Sequence, residues 1–250
     1  MGVVAVCSAK GSPGVSTAAL ALTLSWPIPV VLAECDPAGG DALPGYLAGQ
    51  VPADRGTAEL AVAHARGRLR EEFFGNLIDL EPPAQRRLLL PGISSPTSAG
   101  VVAEMGQDLA ALFTDLDAQG LDVVADCGRL SAEHTLWPVI RAAGAVLLVV
   151  RATLPSLAHA QHALAKLEAV AAHPQNVRLL IVDDGPYASE AGRRLDAPVA
   201  GVWPWAPRVA RKLSHGGALP RGQRLIVEAH RLARTLHDGV HRQGVSADVR

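Results

Sequence analysis

The sequence predicts an α/β fold with a doubly wound, mostly parallel sheet whose two faces are covered by helices. Short apolar runs alternate with helical patterns along most of the 250 residues, as in chains built from strand–helix–strand units. Residues 145–150 are apolar throughout, which is typical of a central parallel strand buried on both faces. Polar residues directly follow three of the apolar runs. Ligands of open parallel sheets bind at the edge where such strands end.

The predicted strands are short, apolar runs in which valine and leucine are frequent. The first, residues 2–7, ends at a glycine-rich turn, and the second, residues 29–33, ends at a polar segment. The others are predicted at residues 87–90, 121–125, 145–150, 177–182 and 199–202. Runs of this length bounded by turn residues favour buried strands over helices.

The predicted helices carry apolar residues at helical spacing. The first, residues 15–25, stops before Pro27, because a proline disfavours helical backbone in the residue that precedes it. The second, residues 57–74, contains Gly67 as a weak interruption. The others are predicted at residues 100–119, 157–172, 208–213 and 221–241.

Composition favours one large domain, which we expect to span residues 1–242, with residues 243–250 as a disordered tail. Hydrophobic residues make up 49% of the chain, and the net charge is −1. This balance gives no overall electrostatic indication of a nucleic-acid partner. The three cysteines have no paired spacing, and no apolar run approaches the ~18 residues of a membrane span. A cytoplasmic protein without a membrane span is therefore expected.

Residues 9–17, with the sequence A-K-G-S-P-G-V-S-T, lie between the first strand and the first helix. They nearly match the phosphate-binding loop G-x-x-x-x-G-K-[ST], whose backbone amides surround phosphates while its lysine reaches the β/γ oxygens. Gly14 and Ser16 occupy the expected places. Ala9 replaces the first glycine, and Val15 stands where the lysine belongs. A lysine is present instead near the start of the loop, at Lys10.

Polar clusters follow three predicted strands, at residues 10–17, 34–36 and 126–128. Each cluster alone is compatible with an ordinary loop. Three of them in this order resemble the ParA/MinD family of P-loop ATPases, whose deviant phosphate loop reads x-K-G-G-x-G-K-[ST]-T. The resemblance covers roughly residues 2–240.

Within the loop, the resemblance identifies Lys10 as the family's signature lysine, which reaches across a nucleotide-sandwich dimer to the partner's phosphates. It implies a homodimer, with ATP or ADP and Mg²⁺ as cofactors. The implied nucleotide-binding residues of the loop are Gly11, Ser12, Pro13, Gly14, Val15, Ser16 and Thr17. Ser12 replaces a family glycine, and Val15 replaces the second lysine.

The other two clusters extend the resemblance. Residues 30–40 resemble an apolar strand followed by D-x-D-P-x-G, in which Glu34 replaces the first aspartate and Asp36 is the catalytic residue that positions the attacking water. Residues 122–128 resemble the Walker B strand, so that Asp126, through water, and Ser16 would hold Mg²⁺. The resemblance further places Asp183 and Pro204 at the adenine.

The absent lysine should weaken catalysis, because phosphoryl transfer depends on neutralising charge on the β- and γ-oxygens. Loss of one such group commonly lowers rates by about 10²–10³-fold, by analogy with oxyanion-hole variants. The backbone amides and the helix N-terminus still favour an anion, and Lys10 offers partial compensation. Slow hydrolysis, binding without turnover and complete loss of nucleotide all remain open.

Three other features have ordinary structural interpretations. Trp203 and Trp205, which flank Pro204, are interpreted as core residues of a rigid turn. The pair His237 and His241 is interpreted as part of an exposed helix face. The cysteines are interpreted as small buried apolar residues.

The leading functional hypothesis is a nonstandard ATP-binding switch or scaffold that dimerises around nucleotide and positions cellular cargo together with a protein partner. Pilus or secretion machinery, the division septum and DNA are the cargoes that the family offers. One alternative is an active DNA-partitioning ATPase that binds nonspecific DNA through its basic C-terminal helices. The other is an interaction module that binds no nucleotide.

Overall fold

The computed structural model describes residues 2–11, 13–183, 185–218 and 222–247, with only the backbone for Val240 and residues 242–247. Within these residues the chain forms a single eight-stranded sheet. The strands are β1 (Val3–Ser8), β2 (Val30–Glu34), β3 (Ile78–Asp79), β4 (Arg87–Leu90), β5 (Asp122–Arg129), β6 (Ala145–Arg151), β7 (Val177–Val182) and β8 (Val199–Trp203). Their order is β3-β4-β2-β5-β1-β6-β7-β8, and only the β3–β4 pair is antiparallel. The predicted doubly wound, mostly parallel α/β sheet is confirmed.

The helices lie in two layers, one on each face of the sheet. They are α1 (Val15–Leu24), α2 (Thr57–Ala65), α3 (Leu69–Glu72), α4 (Ala99–Glu104), α5 (Gly106–Leu116), α6 (Trp137–Ala142), α7 (Leu154–Val170), α8 (Ala191–Leu195), α9 (Pro207–His215) and α10 (Arg224–Ala247). A π-helical turn spans Ala42–Tyr46, and short 3₁₀ turns span Phe74–Asn76, Pro96–Ser98, Asp117–Gln119 and Pro174–Asn176.

Each face of the sheet has its own apolar core. Alternate residues of a strand point to opposite faces, so that Val4 and Val6 of β1 pack with α1, α9 and α10, whereas Val3 and Ala5 pack with α2, α5 and α7. The central strands β1 and β6 are buried along almost their whole length. This burial on both faces explains why their sequences are uniformly apolar.

Two long predicted helices are each divided in the structure. The predicted helix 57–74 breaks at Gly67, which has a φ of +71° that L-residues rarely adopt. The predicted helix 100–119 breaks at Met105, a fully buried residue between α4 and α5. The apolar pattern runs on through both breaks, so the sequence did not predict the second one. Strand β3 and helices α6 and α8 were also missed.

Strand β5 continues beyond the predicted end at residue 125 and runs to Arg129. Asp126 is therefore part of the strand, beside Val6 of β1 and Glu34 of β2. Helix α10 runs to Ala247. The domain boundary at residue 242, with a disordered tail after it, stays a prediction.

All three cysteines are buried and free. They lie in the core on the α2–α7 face, as expected for small apolar residues. Burial raises the pKa of each thiol. Among the described helices, none combines the length and the hydropathy needed to cross a membrane.

Candidate functional site

Two glycines between β1 and α1 face open space. Gly11 has a φ of +77° and Gly14, the N-cap of α1, a φ of +106°. Both values favour glycine. A Cβ added at Gly11 would meet no atom within 4 Å, and one at Gly14 would meet only Thr17, at 3.9 Å. The loop thus leaves room in front of the N-terminus of α1, where backbone amides favour an anion.

Lys10 is exposed at the start of this loop, and Pro13 is buried within it. Val15 is only 7% exposed and belongs to the core between α1 and the sheet. Ser12, which the sequence also assigns to the phosphate site, lies outside the described residues. The position of the missing lysine is therefore filled by an apolar side chain that packs inward.

Asp126 lies at the centre of the carboxyl edge, with 3% of its surface exposed. Its Oδ1 accepts a hydrogen bond from the amide of Gly128 at 3.0 Å. Ser16 lies beside the carboxylate on the wall of the same cleft and lowers the pKa of Asp126. The pKa of Asp126 is raised to about 7, mainly by burial and in smaller part by the carboxylates of Glu34 and Asp36. The structure places Ser16 and Asp126 beside the same cleft, and their joint role in holding Mg²⁺ stays a prediction.

Glu34 holds two distant loops together. Its Oε1 accepts hydrogen bonds from the amides of Asp41 and Ala42, both at 2.8 Å, and its Oε2 accepts one from Gly92 at 3.1 Å. A Cβ at Gly40 would lie 2.6 Å from Oε2, so glycine allows this close approach. Burial raises the pKa of Glu34, and the three amide hydrogen bonds oppose that effect. Glu34 thus has a structural role that its place in the motif did not reveal.

Asp36 is half-buried beside the end of β5. Its Oδ1 accepts a hydrogen bond from the amide of Ala38 at 2.8 Å. A Cβ on Gly128 would lie 2.1 Å from the Asp36 carboxyl group, and the φ of Gly128 is +59°. Gly128 therefore makes room for Asp36 next to Asp126. The structure brings these two predicted site residues together.

A cleft of about 340 Å³ opens beside Ser16 and Asp126. Its inner wall includes Thr17 and Glu34, and its outer wall is formed by the π-helical turn and by the end of α9, including His215. The outer wall is tightly packed, because a Cβ at Gly45 would lie 2.3 Å from the carbonyl oxygen of Ser214.

A second polar group lies where β6, β7 and β8 end. The guanidinium of Arg151 donates a hydrogen bond to Asp183 at 3.3 Å and lies 3.9 Å from the centre of the Trp205 ring. Trp203 is buried, as expected, but Trp205 is 53% exposed, so the interpretation of both tryptophans as core residues was wrong for Trp205. Pro204, between them, is half-buried. Asp183, predicted to face adenine, is paired with an arginine that the sequence analysis did not single out.

The donors around Asp126 fit a magnesium ion. Mg²⁺ prefers carboxylate and hydroxyl oxygens and retains several waters. Asp126, Ser16 and Asp36 supply such oxygens at the mouth of an anion-favouring loop. The raised pKa of Asp126 also indicates that a cation would relieve the cost of its ionised form.

The same architecture occurs in solved structures. A ParA family ATPase from Chlorobium tepidum superposes with a TM-score of 0.74 at 17% identity, over 93% of this chain and 98% of that one. The chain has the fold of the ParA and MinD ATPases. MinD from Pyrococcus horikoshii, in complex with Mg-ADP, superposes with a TM-score of 0.69 at 14% identity, over 94% of this chain and 95% of that one.

A third example of the ParA/MinD fold is an ATP complex of McdA from Cyanothece, with a TM-score of 0.66 at 16% identity and 96% coverage of both chains. At the level of sequence, no protein-family model and no curated protein matches this chain. The resemblance predicted from three short motifs is thus confirmed for the fold.

We expect Asp126→Asn to stabilise the ligand-free protein near neutral pH. The pKa of Asp126 is raised from 3.8 to about 7, so between these values the folded state holds a proton that the unfolded state has lost. The stability contributed by this group is therefore fully present below pH 3.8 and falls as the pH rises to about 7. Asparagine removes this loss.

Urea unfolding across that pH range, without Mg²⁺ or nucleotide, measures the effect. Asp54→Asn is the control, because the Asp54 side chain is 70% exposed. Its free energy of unfolding should follow the wild-type pH dependence. Identical pH dependence in wild type and Asp126→Asn would show that Asp126 is not held in a desolvated carboxylate cluster.

Proposed function

We propose that this protein is a nucleotide-binding switch of the ParA/MinD type that binds ATP with Mg²⁺, dimerises around it and positions a cellular cargo through a protein partner. The observation that carries the proposal is the meeting of an open glycine-rich loop with the Ser16–Asp126 pair at one edge of the sheet. The complexes of MinD with Mg-ADP and of McdA with ATP have the same fold and support it. The proposed cargo is pilus or secretion machinery, the septum or DNA.

The amides at the start of α1 and the backbone of Gly11 and Gly14 would hold the phosphates. Ser16 and Asp126 would hold Mg²⁺, which neutralises phosphate charge when it is bound. Asp36 lies beside Asp126, where a carboxylate can orient a water. The resemblance assigns that role to Asp36.

Hydrolysis by this site should be slow or absent. Val15 is apolar and packs into the core, so it supplies no positive charge to the β- and γ-oxygens. Lys10 is exposed at the loop, a location from which it would reach the phosphates of its own nucleotide or of a partner's. The exposed position favours the second arrangement, in which dimerisation completes the site.

Lys10→Ala should weaken ATP–Mg²⁺ binding or ATP-dependent dimerisation by about tenfold or more, because it removes a charge-assisted phosphate contact. Calorimetry with ATP and ADP, paired with light scattering, measures both. Lys166→Ala is the control, since Lys166 is an exposed lysine of α7 that stacks on Trp137. Unchanged affinity and dimerisation in Lys10→Ala would contradict the role of this lysine. Wild-type protein that shows no heat with either nucleotide would instead identify an interaction module without nucleotide.

Val15→Lys should raise ATP affinity or turnover by roughly tenfold, because it places an ammonium where the phosphate loop normally carries one. Val15→Met is the matched control, since it lengthens the same side chain without adding charge. Because Val15 is buried, melting temperatures of both variants check that the fold is retained. Equal ATP affinity and turnover in the two folded variants would mean that the side chain at position 15 does not reach the phosphates.

A second candidate function is DNA partitioning. Five arginines on α9 and α10 are exposed, and their charges are available to DNA phosphates. They are Arg208, Arg211, Arg224, Arg231 and Arg234. Arg231 also pairs with Glu228 at 3.1 Å. Two further arginines of the predicted basic surface cannot be assigned to it, because Arg221 and the Arg242 side chain lie outside the described residues.

If DNA is the cargo, replacing both Arg231 and Arg234 with glutamate should weaken nonspecific DNA binding and lower its log–log salt slope by about two. Replacing Arg193 and Arg194 of α8 with glutamate is the matched control, because both are exposed arginines of another helix. Fluorescence anisotropy at several salt concentrations measures the slope. Equal effects of both double variants, or no DNA binding by the ATP-loaded wild type, would exclude this function for α10.

A further inference from the structure

A cluster of one carboxylate and two imidazoles lies at the amino edge of the sheet, opposite the nucleotide site. Asp122, the first residue of β5, is 1% exposed. His237 and His241 lie one turn apart on α10, with 21% and 34% of their side chains exposed. The expectation that these histidines form an exposed helix face was wrong. Both are turned toward a buried carboxylate that is more than 100 residues away in sequence.

The three side chains approach closely enough to share an ion. Nδ1 of His237 lies 3.0 Å from Oδ2 of Asp122, and Nε2 of His241 lies 3.1 Å from Oδ1. One nitrogen or oxygen atom from each residue lies within 4.8 Å of the other two. Zinc bonds of about 2.0–2.1 Å in a tetrahedral site hold neighbouring donors about 3.3 Å apart. The two imidazole–carboxylate distances are within a few tenths of an ångström of this separation.

The carboxylate is fixed in place by its surroundings. The indole Nε1 of Trp26 donates a hydrogen bond to Oδ2 of Asp122 at 2.8 Å. A Cβ on Gly2 would lie 2.0 Å from Oδ1, so the backbone of Gly2 leaves no space for the carboxylate to withdraw. The His237 ring meets the edge of Trp26, with centroids 6.5 Å apart. A metal site requires ligand side chains that are held in position in this way.

His241 has a further partner on its other nitrogen. Its Nδ1 lies 3.5 Å from Oδ1 of Asp117. Ligating imidazoles commonly place a carboxylate on the nitrogen that does not bind the metal, which fixes the tautomer. With its proton on Nδ1, His241 would direct the lone pair of Nε2 at Asp122, an arrangement that calls for a cation between them.

We propose that Asp122, His237 and His241 bind a divalent transition metal of the zinc class. Two histidines at positions i and i+4 of a helix, together with a carboxylate, suit Zn²⁺ in both donor type and spacing. Each imidazole would bind in its neutral form through the lone pair of its inward nitrogen. The metal would join α10 to β5 and is independent of the proposed nucleotide function.

The test uses untagged, full-length protein that has been stripped with a chelator and titrated with Zn²⁺ alone in a calorimeter. We expect one equivalent to bind and the melting temperature to rise, since the metal binds the folded state. His237→Gln and His241→Gln should each weaken binding by more than about tenfold. His230→Gln is the matched control, because His230 is an exposed histidine of the same helix whose Nδ1 contacts the carbonyl of Ile226. It should bind Zn²⁺ like wild type.

A measurement on wild type alone covers the case in which a variant does not fold. Modification by diethyl pyrocarbonate, mapped by mass spectrometry, should be suppressed by Zn²⁺ at His237 and His241 but not at His230. Absence of Zn²⁺ binding, retention of binding in both folded glutamine variants, or equal modification of all three histidines would overturn the proposal. The cluster would then be a hydrogen-bonded contact only.

Discussion

The carboxyl edge depends on one strand register, which places the buried acids Glu34 and Asp126 side by side on β2 and β5. Ionising two buried carboxylates on neighbouring strands costs free energy unless their charges are compensated. Glu34 receives three backbone hydrogen bonds, whereas the side chain of Asp126 receives one, from the amide of Gly128, with Ser16 nearby. The less compensated acid is the one next to the glycine-rich loop. Because Asp126 receives fewer hydrogen bonds than Glu34, a cation is expected at Asp126. Glu34 instead connects two loops through its hydrogen bonds.

The same register explains which parts of the structure the sequence could predict. A strand followed by its own polar residues is a local pattern, so the loop after β1 and the polar segment after β2 were predicted at the right places, whereas β5 runs four residues beyond its predicted end. Gly92, which donates a hydrogen bond to Glu34, lies 58 residues away in sequence. No sequence pattern near either residue indicates that contact. For the same reason the sequence did not reveal the exposure of Trp205 beside Arg151. Long-range contacts decide the roles of residues whose identities the motifs already indicate.

For the two histidines of α10, the helix was predicted correctly but the environment of its face was not. Residues 237 and 241 share a face by helical spacing, and that part of the reasoning holds. Whether this face meets solvent or protein depends on the position of Asp122, which precedes His237 by 115 residues. Asp122 in turn looks like an ordinary polar residue at the start of a strand. No periodicity along the chain could have joined them.

Asp122 and Asp126 lie on the same face of β5, four residues and about 13 Å apart, and α1 spans the distance between them. Its N-terminus meets the glycine-rich loop, and Trp26, just beyond its last turn, donates to Asp122. The helix that presents its amides to an anion is therefore anchored at its far end by the carboxylate of the amino edge. Because α1 packs in one apolar core with the sheet and α10, its position is fixed by contacts at both edges. The N-terminal end of α1 is therefore held in place by packing, and the glycines of the loop determine only the backbone conformation of the turn.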